Sequence, residues 1–244
     1  MLQRLSIKTF EQLTAGELYE ILKARAAVFV IEQRILYLDM DDIDRKAVHI
    51  FLHDDALRVS AYARIFPGEE EGDIHMGRVL TTERGKGYGK RVVDAAMLVA
   101  AFGMNARRVV IDAQTSVVGF YRKLGFLQVS EEYIIEEIPH VKMVFENPQD
   151  IVASSQRERV GRIFAMEHIF RNLAAAVSDR GNDSTLKNCK DDFDALMAYY
   201  ESPLWREDFE SDEAGLLPSD LPRGVLSEDA VWNLAEQWKV LSKK

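Results

Sequence analysis

Near the start of the chain Leu5 and Ile7 stand between polar neighbours, and this period-two alternation predicts a first strand. Thr14-Ala15-Gly16-Glu17 has the form of a capping box, in which a hydroxyl and a carboxylate each satisfy an orphan amide at a helix start. Leu18, Leu22, Arg25, Ala26 and Phe29 follow at helical spacing and predict a helix to about Gln33. Two β-rich runs, Val48 to His53 and Leu57 to Phe66, flank Asp54-Asp55 as in a hairpin, and a third covers Ile74 to Thr82. Beyond a glycine-rich stretch at Arg84, the residues Val92, Val93, Ala96, Met97 and Ala100 mark one face of a helix. Val109-Val110-Ile111 predicts a short buried strand, and Val117 to Leu124 a short helix closed by Gly125 as a left-handed cap. Leu127 to Ile135 and Val141 to Phe145 predict two last strands, with Pro139 between them. Strand–helix–strand units in this order require parallel crossovers. The expected fold class is therefore α/β (α+β), a mixed sheet flanked by helices, over residues 1–147.

After Glu146-Asn147-Pro148 the texture changes, and residues 148–154 are expected to link to a smaller all-α domain over 155–244. Ser155 to about Val177 is helical in pattern, with Ile163, Met166, Phe170 and Leu173 on one stripe. Ser178 to Ser184 has loop composition, and a second helix is expected from Leu186 to Tyr200. Residues 202–222 carry Pro203, Pro218, Pro222 and many acids, and are expected to form an ordered loop. Ser227 caps a final helix, with Leu226 and Val231 at the staple positions around it. Tyr199-Tyr200-Glu201-Ser202-Pro203-Leu204-Trp205 and Arg223-Gly224-Val225-Leu226-Ser227-Glu228-Asp229 resemble a bacterial domain family of unknown function, from about Arg157 to Leu241. Helical appendages of this kind commonly serve as interaction surfaces, so a homodimer is among the expected assemblies.

Composition narrows the picture without changing it. The chain has 244 residues, 47% apolar and 29% charged, enough to bury a core. A formal charge of −9 argues against a sequence-independent grip on nucleic acid or anionic lipid, both of which need a basic surface. Cys189 is the only cysteine, so no intrachain disulfide forms and a reducing cytoplasm is the expected setting. The first residues lack the apolar stretch of a signal peptide, and the most apolar run, Val92 to Met104, falls short of the roughly 20 residues of a membrane span.

The candidate chemistry begins at Arg84-Gly85-Lys86-Gly87-Tyr88-Gly89. Glycines placed between a strand and a helix let several amides turn toward one anion, and the helix N-terminus adds a positive dipole end. Arg84, Lys86 and Lys90 add full charges, so this is read as a phosphate site; the bland alternative is a tight turn that needs glycine for packing. A Walker loop fails here, because Arg84 and Arg91 occupy its first and last positions. A dinucleotide fingerprint fails at Lys90, where its third glycine belongs.

The spacing Arg-x-x-Gly-x-Gly, from Arg84 through Gly87 to Gly89, instead resembles the acetyl-CoA loop of GNAT-superfamily N-acetyltransferases. Phe120-Tyr121-Arg122-Lys123-Leu124-Gly125-Phe126 is similar to the segment that follows the fifth strand of that family. Phe29 to Gln33, Tyr37-x-Asp39-x-Asp41-x-x-Asp44, His49, Gly77-Arg78-Val79 and Ile138-Pro139-His140 resemble the ElaA-like subgroup in particular. One departure is that only Glu83 separates Thr82 from Arg84, a shorter connector than relatives usually have.

The resemblance implies acetyl transfer from acetyl-CoA to a small amine or peptide amine. It assigns the cofactor to Arg84, Gly85, Lys86, Gly87, Tyr88, Gly89, Lys90 and Gln114, and to the fourth-strand amides of Val79, Leu80 and Thr81. It makes Tyr121 the general acid toward the departing thiolate, a role suited to a neutral phenol; the alternative is an aromatic packed beside Phe120 and Phe126. Glu32, His49, His75, Glu83 and His140 all remain candidates for the base. The acids from Asp39 to Asp44 either draw a cationic amine toward the cleft or form a solvated, helix-capping loop. No metal is expected, because the glycine and terminal Glu of a calcium loop are missing. A non-catalytic acyl-CoA-binding module, with the helical domain holding a partner, is the rival reading.

Overall fold

The structure, a computed structural model, describes residues 3–152, 154–178 and 189–242. The chain divides into two compact units, Met1–Gln149 and Asp150–Lys244.

The first unit is built on one sheet. Its strands are β1 (Arg4–Thr9), β2 (Val48–His53), β3 (Val59–Pro67), β4 (Asp73–Thr81), β5 (Arg108–Gln114), β6 (Leu127–Gln128), β7 (Tyr133–Ile135) and β8 (Ile138–Glu146). The order across the sheet is β1-β2-β3-β4-β5-β8-β6, with β7 also paired to β8. Every pairing is antiparallel except β4 with β5, the pair whose connection carries a helix across the sheet.

Helix α1 (Ala15–Arg25) starts on the predicted capping box: the Glu17 amide donates to Thr14 Oγ1 at 3.2 Å, and the Thr14 amide donates to Glu17 Oε2 at 2.9 Å. It continues as a wider π-helical segment, Ala26–Glu32, to the expected Gln33. Ile21, Ala24 and Val28 bury one stripe against Phe51, Val59, Tyr62 and Leu80. The alternate residues of the same strands, Ile50, Leu52, Ala61, Ala63 and Ile65, are equally buried on the opposite face, over which helix α2 (Tyr88–Leu98) packs. Strands buried on both faces read as continuous apolar runs, which is why β2 and β3 stood out in the sequence.

The last strands differ from expectation. The run Leu127 to Ile135 is two short strands, and Pro139 lies inside β8, opposite Ile134. The turn falls two residues earlier, at Glu136-Glu137, both left-handed with φ of 46° and 63°. That geometry joins a two-residue hairpin, but its usual residues are Asn and Gly, so Glu-Glu gave no warning.

In the second unit, α4 (Ser154–Ser178) packs against α5 (Lys190–Tyr200) and α7 (Glu228–Leu241). Its buried side includes Val160, Ile163, Leu173 and Val177, and also Glu167, which accepts from the Val225 amide at 2.7 Å. Residues 202–222 are not a loop throughout: α6 (Pro203–Glu213) occupies the first half. Pro203 sits at the first helical position, where its missing N–H costs nothing, so the proline starts this helix. Asp208 lies inside, fully buried, and accepts from Arg162, Arg159 and the Tyr199 hydroxyl. The Ser227 cap forms as expected, its hydroxyl accepting from the Ala230 amide. The expected loop from 179 to 184 and the helix start at Leu186 lie outside the described residues. Among the described residues, no helix is long and apolar enough to cross a membrane.

Candidate functional site

The site begins with a separation of strands. β4 pairs with β5 only through Asp73, Ile74 and His75; beyond that point the two are not joined. On its other edge β4 carries one extra residue against β3, since Arg64 opposes Gly77 while Tyr62 opposes Leu80. Arg78 sits in this bulge with φ of 54°, a left-handed conformation that costs a non-glycine residue about 1–2 kcal/mol. Val79, Leu80 and Thr81 follow; Leu80 and Thr81 are still in register with Tyr62 and Ala61 of β3, so the backbone groups here turn alternately to β3 and to the gap.

Arg78 is held by charge. Its Nε donates to Asp39 Oδ1 at 2.7 Å, and its Nη2 reaches Asp41 Oδ2 at 3.3 Å. Arg25 donates to Asp39 Oδ2 and Asp44 Oδ1, both at 2.7 Å, and Arg64 donates to Asp44 and Asp41 at 2.6 Å. Arg25 and Arg64 are 0% and 2% exposed, so three guanidinium groups and three carboxylates interlock around a buried centre, with Arg78 and Asp41 at its partly exposed rim. Burial alone would raise the Asp39 carboxyl, but Arg25 and Arg78 outweigh it and hold the group below the usual carboxylate range. Asp41 is lowered in the same way, chiefly by Arg64. Neither sequence reading of this acidic stretch survives for Asp39, Asp41 and Asp44. Their charge is neutralised by arginines distant in sequence, so it neither reaches out to an amine nor merely caps a solvated loop.

The same region accounts for His49. Its Nε2–H donates to the Asp44 carbonyl at 2.9 Å, and its Nδ1 accepts from the Tyr62 hydroxyl at 2.8 Å. Burial pushes its pKa down. With both nitrogens engaged, it is a structural histidine.

The glycine loop crosses from β4 to α2. Gly85 and Gly87 have φ of 73° and 76°, and a Cβ at either would meet nothing within 4 Å. Glycine is therefore required there by backbone conformation, and the space in front of it is open. Gly87 is the N-cap of α2 and offers no side chain to the first amides. A helix start with free amides, flanked by Arg84, Lys86 and Lys90, fits a pyrophosphate. Arg84 is ion-paired with Glu32, but the pair is largely exposed (75% and 47%), the kind a phosphate can displace. Lys90 pairs with Asp94 one turn along the helix.

Tyr121 comes from α3 (Val118–Lys123). Gly125 ends this helix with φ of 93°, and an added Cβ would lie 2.7 Å from the Phe145 ring. Tyr121 stands edge-on to Phe120 and Phe126 and is 7% exposed. Burial pushes its pKa up, and its hydroxyl has no hydrogen-bond partner among the described residues. A Cβ at Gly89 would touch the Phe120 ring at 3.8 Å, so the end of the loop and the Tyr121 segment lie side by side. Gln114, at the end of β5, donates to Gln33 Oε1 at 3.0 Å and ties the strand to the end of α1's extension. Sequence reasoning missed that contact, the anchoring of Arg78 and the bond from the Tyr133 hydroxyl to Asp112. All three are long-range contacts with no local pattern.

A polar cavity of about 480 Å³ borders the loop, lined by Asp54, Arg58, Ser60, Thr82, Lys86 and Tyr88 among others. Neither Tyr121 nor Gln114 borders it, so it is not the gap between β4 and β5.

A family model described as the acetyltransferase (GNAT) domain matches residues 19–147. A second, described as a domain of unknown function (DUF4298), matches residues 163–244. A UPF0039 protein of Schizosaccharomyces pombe is 34% identical over 142 residues, 57% of this chain and 94% of the relative. Protein ElaA of Escherichia coli is 32% identical over 142 residues, 55% of this chain and 91% of its own length. Among solved structures, an acyl-CoA N-acyltransferase from Pseudomonas aeruginosa is similar with a TM-score of 0.55 at 30% identity, covering 59% of this chain and 99% of that one. The structure of Escherichia coli ElaA gives the same TM-score at 29% identity, over 59% of this chain and 100% of its own.

Proposed function

Because this chain belongs to the GNAT acetyltransferase family and is an acyltransferase by that membership, we propose that it moves an acetyl group from acetyl-CoA to an amine by direct attack. The observation that carries this reading is the gap between β4 and β5 beyond His75, bordered by the open glycine loop at the start of α2. An extended thioester arm fits such a gap, with those backbone groups of Val79, Leu80 and Thr81 that turn away from β3 to receive its polar groups. Arg84, Gly85, Lys86, Gly87, Tyr88, Gly89 and Lys90 hold the pyrophosphate through backbone amides and charge, and Gln114 closes the β5 side. Acetyl-CoA supplies the activated acyl group.

Tyr121 then protonates the sulfur as the C–S bond breaks. Burial keeps the phenol protonated at neutral pH, so the proton is in place when the sulfur departs. The acceptor is a primary amine, free or at a peptide terminus or side chain.

The test is a panel of amines with acetyl-CoA, read by release of free thiol. Thiol release that depends on the amine is the expected result. Tyr121→Phe should lower turnover by about 10²-fold, the lower range for a general acid, while CoA binding is unchanged. Tight CoA binding with no thiol release from any amine would replace this reading with that of a binding module.

A further inference from the structure

We propose that His140 is the group that takes the proton from the acceptor nitrogen, working from the face of the sheet opposite Tyr121. The proposal rests on the acyl-transfer reading above and supplies the base that reading lacks.

Strand alternation separates the two faces. Phe145 packs on Phe126, which packs on Tyr121, so Val141, Met143 and Phe145 of β8 point to the Tyr121 side. Gln114 and His140 are directly opposed across β5 and β8 and share the other face. On that face Gln114 meets Gln33, and Tyr133 is paired in register with His140. The glycine loop abuts Phe120 on the Tyr121 side, so the thioester arm enters from there. An amine attacking through the gap therefore arrives from the His140 face.

The ring of His140 is set for this task. Its Nδ1–H donates to the Ile138 carbonyl at 2.8 Å, which fixes the tautomer and leaves the lone pair on Nε2. Nε2 has no partner among the described residues, and it is not among the buried unpartnered side-chain atoms, which are Gln3 Oε1 and Arg64 Nε. The side chain is 9% exposed, so a nearly buried ring shows its one basic nitrogen to solvent. The neighbouring Tyr133 hydroxyl is bound to Asp112 and does not occupy it.

The other candidates are placed differently. His49 has both nitrogens engaged, and Glu32 lies against Arg84, at the end of the site where the phosphates would sit. His75 lies where β4 is still paired to β5, before the gap opens, with its ring tilted against Phe66. Glu83 precedes the loop, on the side where phosphates would sit.

The protons balance. The neutral amine forms the new C–N bond, its nitrogen gives one proton to His140 Nε2, and the C–S bond breaks as Tyr121 gives one proton to sulfur. His140 then releases its proton to water, and Tyr121 takes one back.

The experiment uses the full chain, acetyl-CoA and an amine that the wild type acetylates. His140→Asn keeps a donor for the Ile138 carbonyl but has no base. It should lower kcat by about 10²-fold or more with KM for acetyl-CoA unchanged. His140→Ala opens the same space, and added imidazole should restore part of its turnover, which a structural loss would not allow. Wild-type turnover by His140→Asn, or a change confined to KM, overturns the proposal. So does a folded, CoA-binding His140→Ala that imidazole does not rescue. If the wild type acetylates no amine, the acyl-transfer reading itself fails; if only the variants behave like wild type, that reading stands and this one falls.

Discussion

Arg78 is subject to two opposing effects. Its backbone is left-handed, which favours glycine, while its guanidinium binds Asp39 and Asp41, which only arginine does in this geometry. Two substitutions separate them. Arg78→Ala loses the ion pairs and keeps the backbone cost; Arg78→Gly loses the same pairs and removes it. We expect Arg78→Gly to be the more stable of the two by about 1 kcal/mol, measured by urea denaturation. Equal stabilities would mean that the bulge relaxes when the side chain is gone. Nothing in the local sequence announced this, because Arg78 sits in an apolar strand pattern and its partners lie 37 and 39 positions away. The left-handed loop glycines Gly85 and Gly87 were legible for the opposite reason, since a turn between a strand and a helix is a local pattern.

Among elements, the legible ones had ends with local chemistry. Thr14 with Glu17, Gly125, and Ser227 each mark a boundary with a side chain or a conformation that has few substitutes. Helix α6 departs from the loop expected over 202–222 because Pro203 stands at the first helical position, where a proline begins a helix. The β7–β8 turn was misplaced because two glutamates occupy a conformation that asparagine and glycine normally fill. The loop before α2 allows a test between its own glycines. Gly87→Ala forces a left-handed alanine into open space, so its cost of about 1–2 kcal/mol is conformational and should appear as a raised KM for acetyl-CoA with little change in kcat. Gly89 lies within α2, where an added Cβ meets Phe120 at an ordinary 3.8 Å, and Gly89→Ala should be near neutral in stability. Steady-state kinetics with acetyl-CoA, alongside thermal melts, compare the two; an unchanged KM in Gly87→Ala would remove that loop from cofactor binding.

The whole molecule is a GNAT-family unit followed in sequence by a helical unit. The curated matches extend over 142 residues and cover 94% and 91% of those relatives, whose whole length is thus close to that of the first unit. Residues 1–149 alone should therefore fold and keep amine-dependent thiol release, with any contribution of the second unit read as a change in KM for the acceptor. Loss of folding in that fragment would show that the units depend on each other. The six-membered charge network of the first unit also bears on how the sequence can drift. Removing one member of a buried pair strands its partner at a cost of about 3–5 kcal/mol, while exchanging the set together for apolar groups can be neutral. Each of Arg25, Arg64, Arg78, Asp39, Asp41 and Asp44 bonds to at least two others of opposite sign, so no single mutational step leads away from the arrangement downhill. The network works as a lock on inheritance: descendants keep all six, or cross a valley of unstable intermediates to lose them.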